Sequence, residues 1–342
     1  MKAMVLKKIG PVEQSGLELV EAAKPQPQAG QILVKVSVCG VCHTELDELE
    51  GRMPANTPII PGHQIVGRVA QAGAGADKYP VGERVGIAWI NSACGKCGFC
   101  RTGRENLCGE FKATGCHVDG GYGQYAVVGE NYAYKIPAEF SDEEAAPLLC
   151  AGAIGWRALK LTGLKDGQTL GLFGFGASAH IAIQIVKYQY PQTKVCVFTR
   201  AGQKEHQELA RKLGADWVGA TGEKPPVRLN CAIDFTPVWQ PIVAALEVLE
   251  KGGRVVINAI RKEEIDKEAL LRLDYAKHLW QEKEIKSVAN ITRADAEEFL
   301  PRAAAAAIRP QVQQFRLEQA NEALRRLKQG QMQGAAVLRI AN

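Results

Sequence analysis

The sequence predicts an α/β protein: a β-rich domain, then a doubly wound domain, then a return to the first. Three observations carry this. The chain has 342 residues, more than one core usually serves, so two domains are expected. Its first third is a run of short alternating apolar segments cut by Gly and Pro. From Gln168 onward, apolar runs alternate with stretches of helical spacing, which marks parallel βαβ units with both sheet faces covered.

Taken in order, ILVKVSVCGVC, PIIPGHQIVGRVAQAG, GERVGIAWI and GYGQYAVV read as strands. A helical stretch, EEAAPLLCAGAIGWRALK, begins at about Glu143. TLGLFGF is a buried strand, SAHIAIQIVKYQY a helix, KVCVFT a strand and KEHQELARKLGA a helix. Strands ADWVGA and CAIDFT follow, then a helix over PIVAALEVLEKGG and the strand RVVINAI. Past Arg293, AAAAA at 303–307 and ANEALRRLKQG read as helical, and AAVLRI closes as a strand. The expected boundaries are 1–151, 152–290 and 291–342, with a small lobe at about 91–110 in the first part.

Hydrophobic residues at 46% and charged residues at 23% are ordinary for a soluble globular protein. A net charge of +5, scattered along the chain, argues against nucleic-acid or membrane partners. No apolar run approaches the ~20 residues a membrane span needs. MKAMVLKKIG lacks a signal-peptide hydrophobic region, so a cytoplasmic protein is expected. Ten cysteines there are metal ligands or buried apolar residues rather than disulfides.

The clearest metal signal is SACGKCGFCRTGRENLC, with Cys94, Cys97, Cys100 and Cys108. Two-residue gaps turn successive thiolates onto one ion, and the longer gap closes a tetrahedron. Four thiolates fill the shell of Zn²⁺ and leave no open position, so this site is structural. An iron–sulfur cluster also uses such spacing, and free thiols remain the plain alternative. A second, dispersed set is Cys42 with His43, His63 and Cys150. Cys, His and Cys are one of the ligand sets of a catalytic zinc, but spacing alone does not bring them together. By itself Cys150 reads as a small buried hydrophobe.

GLFGFGASAH places Gly174, Gly176 and Ala179 between an apolar strand and a helix, the context of a Rossmann dinucleotide-binding turn. The first Gly makes the turn, and the second admits the pyrophosphate to the backbone. The small third residue lets helix and strand pack. An acidic residue is expected about 20 residues on, where it would hold the ribose of NAD. Thr199 stands there and Arg200 follows. Without a carboxylate a 2′-phosphate is not repelled, and Arg200 adds a charge-assisted contact, so NADP(H) is favoured over NAD(H). The plain alternative is a solvated arginine with NAD held through backbone contacts.

With these residues assembled, the chain resembles the zinc-containing medium-chain alcohol dehydrogenases nearly end to end. GVCHTEL, PGHQ and APLLCAG are similar to the family's three catalytic-zinc segments. The four-cysteine lobe, GGYGQYAVV and GGRVV match in order. The resemblance implies a GroES-like catalytic domain, a Rossmann domain and two zinc ions, one catalytic on Cys42, His63 and Cys150 and one structural. It implies that Thr44 takes the hydroxyl proton, that His43 contacts the cofactor, and that Met53 and Trp89 line the substrate pocket. Large residues there suit small primary alcohols and their aldehydes. Relatives are homodimers or homotetramers.

The chain departs from the pattern at three positions. Gln64 stands where many relatives have Glu beside the zinc, and Asp47 where some have the His that ends a proton relay. Ala335 replaces a pyrophosphate-binding Arg. Cys39, Cys116, Cys196 and Cys231 read as buried thiols, His180 and His117 as cleft residues, and His206 and His278 as surface residues of helices. The competing readings are a polyol or aromatic-alcohol dehydrogenase on the same scaffold and a non-catalytic nucleotide- or metal-binding protein. A zinc-ribbon nucleic-acid module is disfavoured, because the lobe lacks a basic aromatic face.

Overall fold

A computed structural model describes residues 1–332 and 334–340. The chain divides into two compact units, one of residues 1–153, 291–304 and 309–342, the other of residues 154–290 and 305–308.

The first unit is built on a seven-stranded sheet. Its spine is the long strand Gln31–Val41, which pairs antiparallel with Ile65–Ala72, Tyr125–Gly129 and Ala335–Arg339. Two register breaks, at Leu33/Val34 and Val36/Val38, let one strand serve these neighbours along its length. Ile32, Val34, Val36 and Cys39 are fully buried and join one large apolar core with Ile65, Val85 and Tyr122. At about 25 cal/mol per Å² of apolar surface, such burial is what holds a β-rich unit of short strands together.

The second unit is a parallel sheet of six strands. In order across the sheet they are Trp217–Ala220, Lys194–Thr199, Thr169–Phe173, Leu229–Asp234, Leu249–Ile257 and Glu284–Ser287. Numbered by chain order this is 3-2-1-4-5-6, whose switch point lies between Thr169–Phe173 and Leu229–Asp234. All five residues of TLGLF are buried, as expected of a strand covered on both faces. Phe173 stacks on Phe198 of the next strand, centroids 4.1 Å apart.

Three sequence expectations need correction. The helix Gln240–Val248 stops before LEKGG, which instead opens the strand Leu249–Ile257. Leu249 pairs in parallel with Leu229, and this tertiary pairing overrides the local helical spacing. The helix Arg293–Ala305 ends inside the alanine run, and Ala307 lies at φ 48°. His278 is buried, with Nδ1 accepting from the Asp274 amide at 2.9 Å, rather than on a helix surface. Among the described residues no helix is long and apolar enough to cross a membrane.

Candidate active site

Cys42 follows the spine strand and caps the helix His43–Leu49. Its Sγ accepts from the Thr44 amide at 3.3 Å, while the Glu45 carboxylate accepts from the Cys42 amide at 2.8 Å. This is a capping box with a thiol in place of the usual hydroxyl. His63 follows Gly62, whose φ of 99° requires glycine and whose missing side chain leaves room for the Tyr122 ring, 2.4 Å from where a Cβ would stand. Cys150 lies in a π-helical turn, Leu148–Gly152, that interrupts the helical stretch.

These three segments converge. His63 Nε2 is 3.7 Å from Cys42 Sγ and 3.2 Å from Cys150 Sγ, and the three ligand atoms all lie within 4.8 Å of one another. A tetrahedral ion with Zn–S of about 2.3 Å and Zn–N of about 2.0 Å sets its donors roughly 3.5 Å apart, so the set fits zinc. The neighbouring Cys150 sulfur and burial push the Cys42 thiol well above its ordinary range, so thiolates here need a cation's charge beside them. Trp89 sits edge-on to His63, centroids 5.0 Å apart, and packs with Cys116 and the half-buried Met53. Thr44 is buried beside Cys42, and His43 is exposed at the start of the same helix.

Glu45 was not singled out in the sequence. It is buried, and its Oε1 is 2.6 Å from His63 Nδ1. Burial alone would raise its pKa, but His63 outweighs that and holds it below the carboxylate range. The carboxylate fixes the Nδ1–H tautomer and turns Nε2 to the sulfurs, the usual support of a metal-binding histidine. Its signal was the spacing Cys42-x-x-Glu45, the sequence mark of a capping box.

Asp47, at the position where some relatives end a proton relay, is buried, with Oδ1 2.6 Å from Arg52 Nε. Gln64 is buried beside the spine strand at Gly40. Ala335 opens its strand as a core residue. Cys39, Cys116, Cys196 and Cys231 are buried. His117 is exposed, and its Nδ1 accepts from the Ala113 amide.

One turn further along the helix, Glu48 is buried against Cys116, and burial followed by repulsion from Glu45 raises its pKa from 4.5 to about 9. With the folded pKa above the unfolded one, its contribution to stability is complete below about pH 4.5 and is lost as pH rises through 9. Glu48→Gln should therefore raise Tm more at pH 8 than at pH 5. Equal shifts in thermal unfolding at the two pH values would refute this.

The four-cysteine lobe also closes. The sulfurs of Cys94, Cys97, Cys100 and Cys108 lie within 4.8 Å of one another. The Cys97 and Cys100 amides donate to Cys94 and Cys97 Sγ at 3.4 and 3.5 Å. The Lys96 and Cys97 amides lower Cys94 to about 6, favouring the thiolate. Glu105, buried in the lobe, accepts from the Arg293 amide at 2.9 Å and so ties the lobe to the helix Arg293–Ala305.

In the second unit, Gly174 turns at φ 84° past Thr236, and Gly176 caps the helix Ala177–Gln189. A Cβ on Gly176 would meet nothing within 4 Å, which leaves the backbone open to a phosphate. Ala179 is fully buried under the turn. Thr199 is buried, its hydroxyl donating to the Arg200 carbonyl at 3.1 Å and accepting from Gln207 Nε2 at 3.0 Å. Arg200 is exposed, and its guanidinium makes no hydrogen bond or ion pair among the described residues. His180 is buried on the same helix, where burial lowers its pKa.

Comparison with known proteins gives the family. Residues 28–138 match the family described as alcohol dehydrogenase GroES-like domain, and residues 215–338 that of zinc-binding dehydrogenase. A probable alcohol dehydrogenase of Mycobacterium tuberculosis is 41% identical, over 99% of this chain and 97% of its own. An alcohol dehydrogenase of Geobacillus stearothermophilus is 33% identical over 99% of both chains. The structure of an acetophenone reductase from Geotrichum candidum in complex with NAD superposes with a TM-score of 0.87 at 26% identity, covering 99% of this chain and 96% of that one. On these grounds the chain belongs to the zinc-containing medium-chain alcohol dehydrogenases.

Proposed function

We propose that the protein interconverts small primary alcohols and aldehydes by hydride transfer, with catalytic zinc held by Cys42, His63 and Cys150. The observation that carries this is the convergence of those three donors, with Glu45 behind the histidine. Zinc bound there supplies Lewis acidity toward the alcohol oxygen. A nicotinamide cofactor bound to the second unit would supply the hydride acceptor or donor.

The chain's own residues orient and exclude. Glu45 holds the Nδ1 proton so that His63 presents Nε2. Thr44 Oγ1 would accept the alcohol proton while donating its own toward the cofactor ribose, which passes it on to solvent, and His43 contacts the cofactor. Trp89 and Met53 narrow the pocket against branched substrates and shed water from it. Asp47, paired with Arg52, holds the turn after the helix, since its carbonyl accepts from the Arg52 and Met53 amides at 2.8 and 3.1 Å. This supports placing Met53 rather than ending a proton relay.

NADP(H) is the preferred cofactor in this reading. Gly174, Gly176 and Ala179 seat the pyrophosphate, buried Thr199 offers no carboxylate to the ribose, and the unpaired Arg200 meets a 2′-phosphate. The second zinc is structural, on Cys94, Cys97, Cys100 and Cys108. The protein works in the cytoplasm as a homodimer or homotetramer.

The test is steady-state reduction of aldehydes and ketones, and oxidation of the matching primary and secondary alcohols, with each cofactor. We expect kcat/KM higher with NADPH, and Arg200→Ala to lower that preference about tenfold, as one charge-assisted contact of roughly 1.5 kcal/mol implies. Preference for NADH in the unaltered enzyme would overturn the cofactor assignment. Equal rates on bulky secondary substrates would overturn the substrate assignment.

A further inference from the structure

We propose that the second unit carries an additional anion site, a basic depression at the far end of its sheet that binds a small phosphate-bearing metabolite. The depression has a volume of about 510 Å³, within the range of small-molecule sites. It is lined by Arg228, just before the strand Leu229–Asp234, by Leu249 and Lys251 at the start of the next strand, and by Lys283, just before Glu284–Ser287. These strands are parallel, so the depression lies at their amino ends. The Gly174 turn follows the carboxyl end of Thr169–Phe173 in the same sheet, so the two places are at opposite ends. A dinucleotide uses the carboxyl ends.

Five cationic side chains line the depression against two carboxylates, Glu247 and Glu250. Lys277 is paired with Glu247 at 2.7 Å. Arg228 and Lys283 bond the carbonyls of Leu249 and Leu246, and so cap the end of the helix Gln240–Val248. Lys224 and Lys251 make no hydrogen bond or ion pair through their ammonium groups among the described residues. The excess positive field also shows in Lys283, whose pKa falls through burial and repulsion from Arg228 and Lys277. Beside it, Gln281 and Glu282 hold φ of 74° and 62°, a conformation side-chain-bearing residues rarely adopt twice in succession. The Gln281 carbonyl accepts from the Gly252 amide at 2.9 Å, which clamps this turn at the rim. Pro225, Pro226 and Val248 add an apolar wall, so the complementary ligand pairs phosphate charge with an organic body.

The test is isothermal titration of the full-length, zinc-replete protein with fructose 1,6-bisphosphate and, separately, with pyrophosphate, at constant ionic strength. We expect saturable binding of the sugar bisphosphate with Kd near or below about 1 mM, and weaker binding of pyrophosphate, which lacks the organic body. Lys224→Gln with Lys251→Gln should weaken binding at least about tenfold, while Arg200→Gln leaves it unchanged. Both lysines are exposed, so the variants fold, and each single substitution should give part of the loss. No saturable binding, an affinity unmoved by the lysine changes, or a loss caused by Arg200→Gln would each overturn the proposal. Equal affinity for pyrophosphate would overturn its organic-ligand form.

Discussion

Replacing Cys150 with Ala is expected to lower kcat/KM for alcohol oxidation by about three to four orders of magnitude and to remove one equivalent of bound zinc. The magnitude follows from what is lost, since Lewis-acid stabilisation is worth several kcal/mol and each 1.36 kcal/mol is a factor of ten in rate. Cys42 and His63 remain, but two donors do not hold a tetrahedral ion against water. His63 Nε2, 3.2 Å from Cys150 Sγ in the intact site, is left without its nearer sulfur. Metal analysis and kinetics on the same sample decide it. A variant that keeps a tenth of the activity with undiminished zinc would mean that Cys150 is a bystander.

Glu45→Gln is the second large effect, expected at ten- to a hundredfold in zinc affinity, read by competition with a chelator. Glutamine still fills the capping box, so the helix His43–Leu49 keeps its start. What changes is the charge behind His63 Nδ1, where burial would lower the imidazole pKa and the Glu45 and Cys42 charges together raise it well above its ordinary value. Activity should recover at high zinc, and the cofactor KM should not move. A loss of activity that excess zinc does not relieve would point instead to a collapsed loop.

Much of the architecture was legible because its cues are local. Gly174 and Gly176 stand between an apolar strand and a helix, and the Cys94-x-x-Cys97-x-x-Cys100 spacing is enough to turn three sulfurs inward. The helix at Gln240–Val248 was read too long because its last turn and the strand after it have the same apolar content, and only pairing with Leu229 separates them. His278 was read as exposed because helical spacing gives no measure of what packs over a short irregular turn. The proposed catalytic set was the least legible from residues alone. His63 and Cys150 are 87 positions apart, and an apolar cysteine gives no local sign that a histidine faces it, so family resemblance had to join them. Glu45 was readable in principle, yet an acidic residue in a first helical turn reads as one more solvated charge complementing the dipole.

The π-helical turn at Leu148–Gly152 bears on how this site tolerates change in the gene. An α-helix advances about 100° per residue, and a π turn is one residue inserted into that rotation. Deleting a single codon ahead of Cys150 would let the segment close as ordinary helix and swing the thiol about a quarter-turn round the axis, away from His63. The proposed ligand Cys150 would survive in the protein while the convergence of the three donors did not. Reading-frame-preserving deletions are therefore as hazardous here as loss of a ligand, although a comparison of residue identities would show every ligand intact.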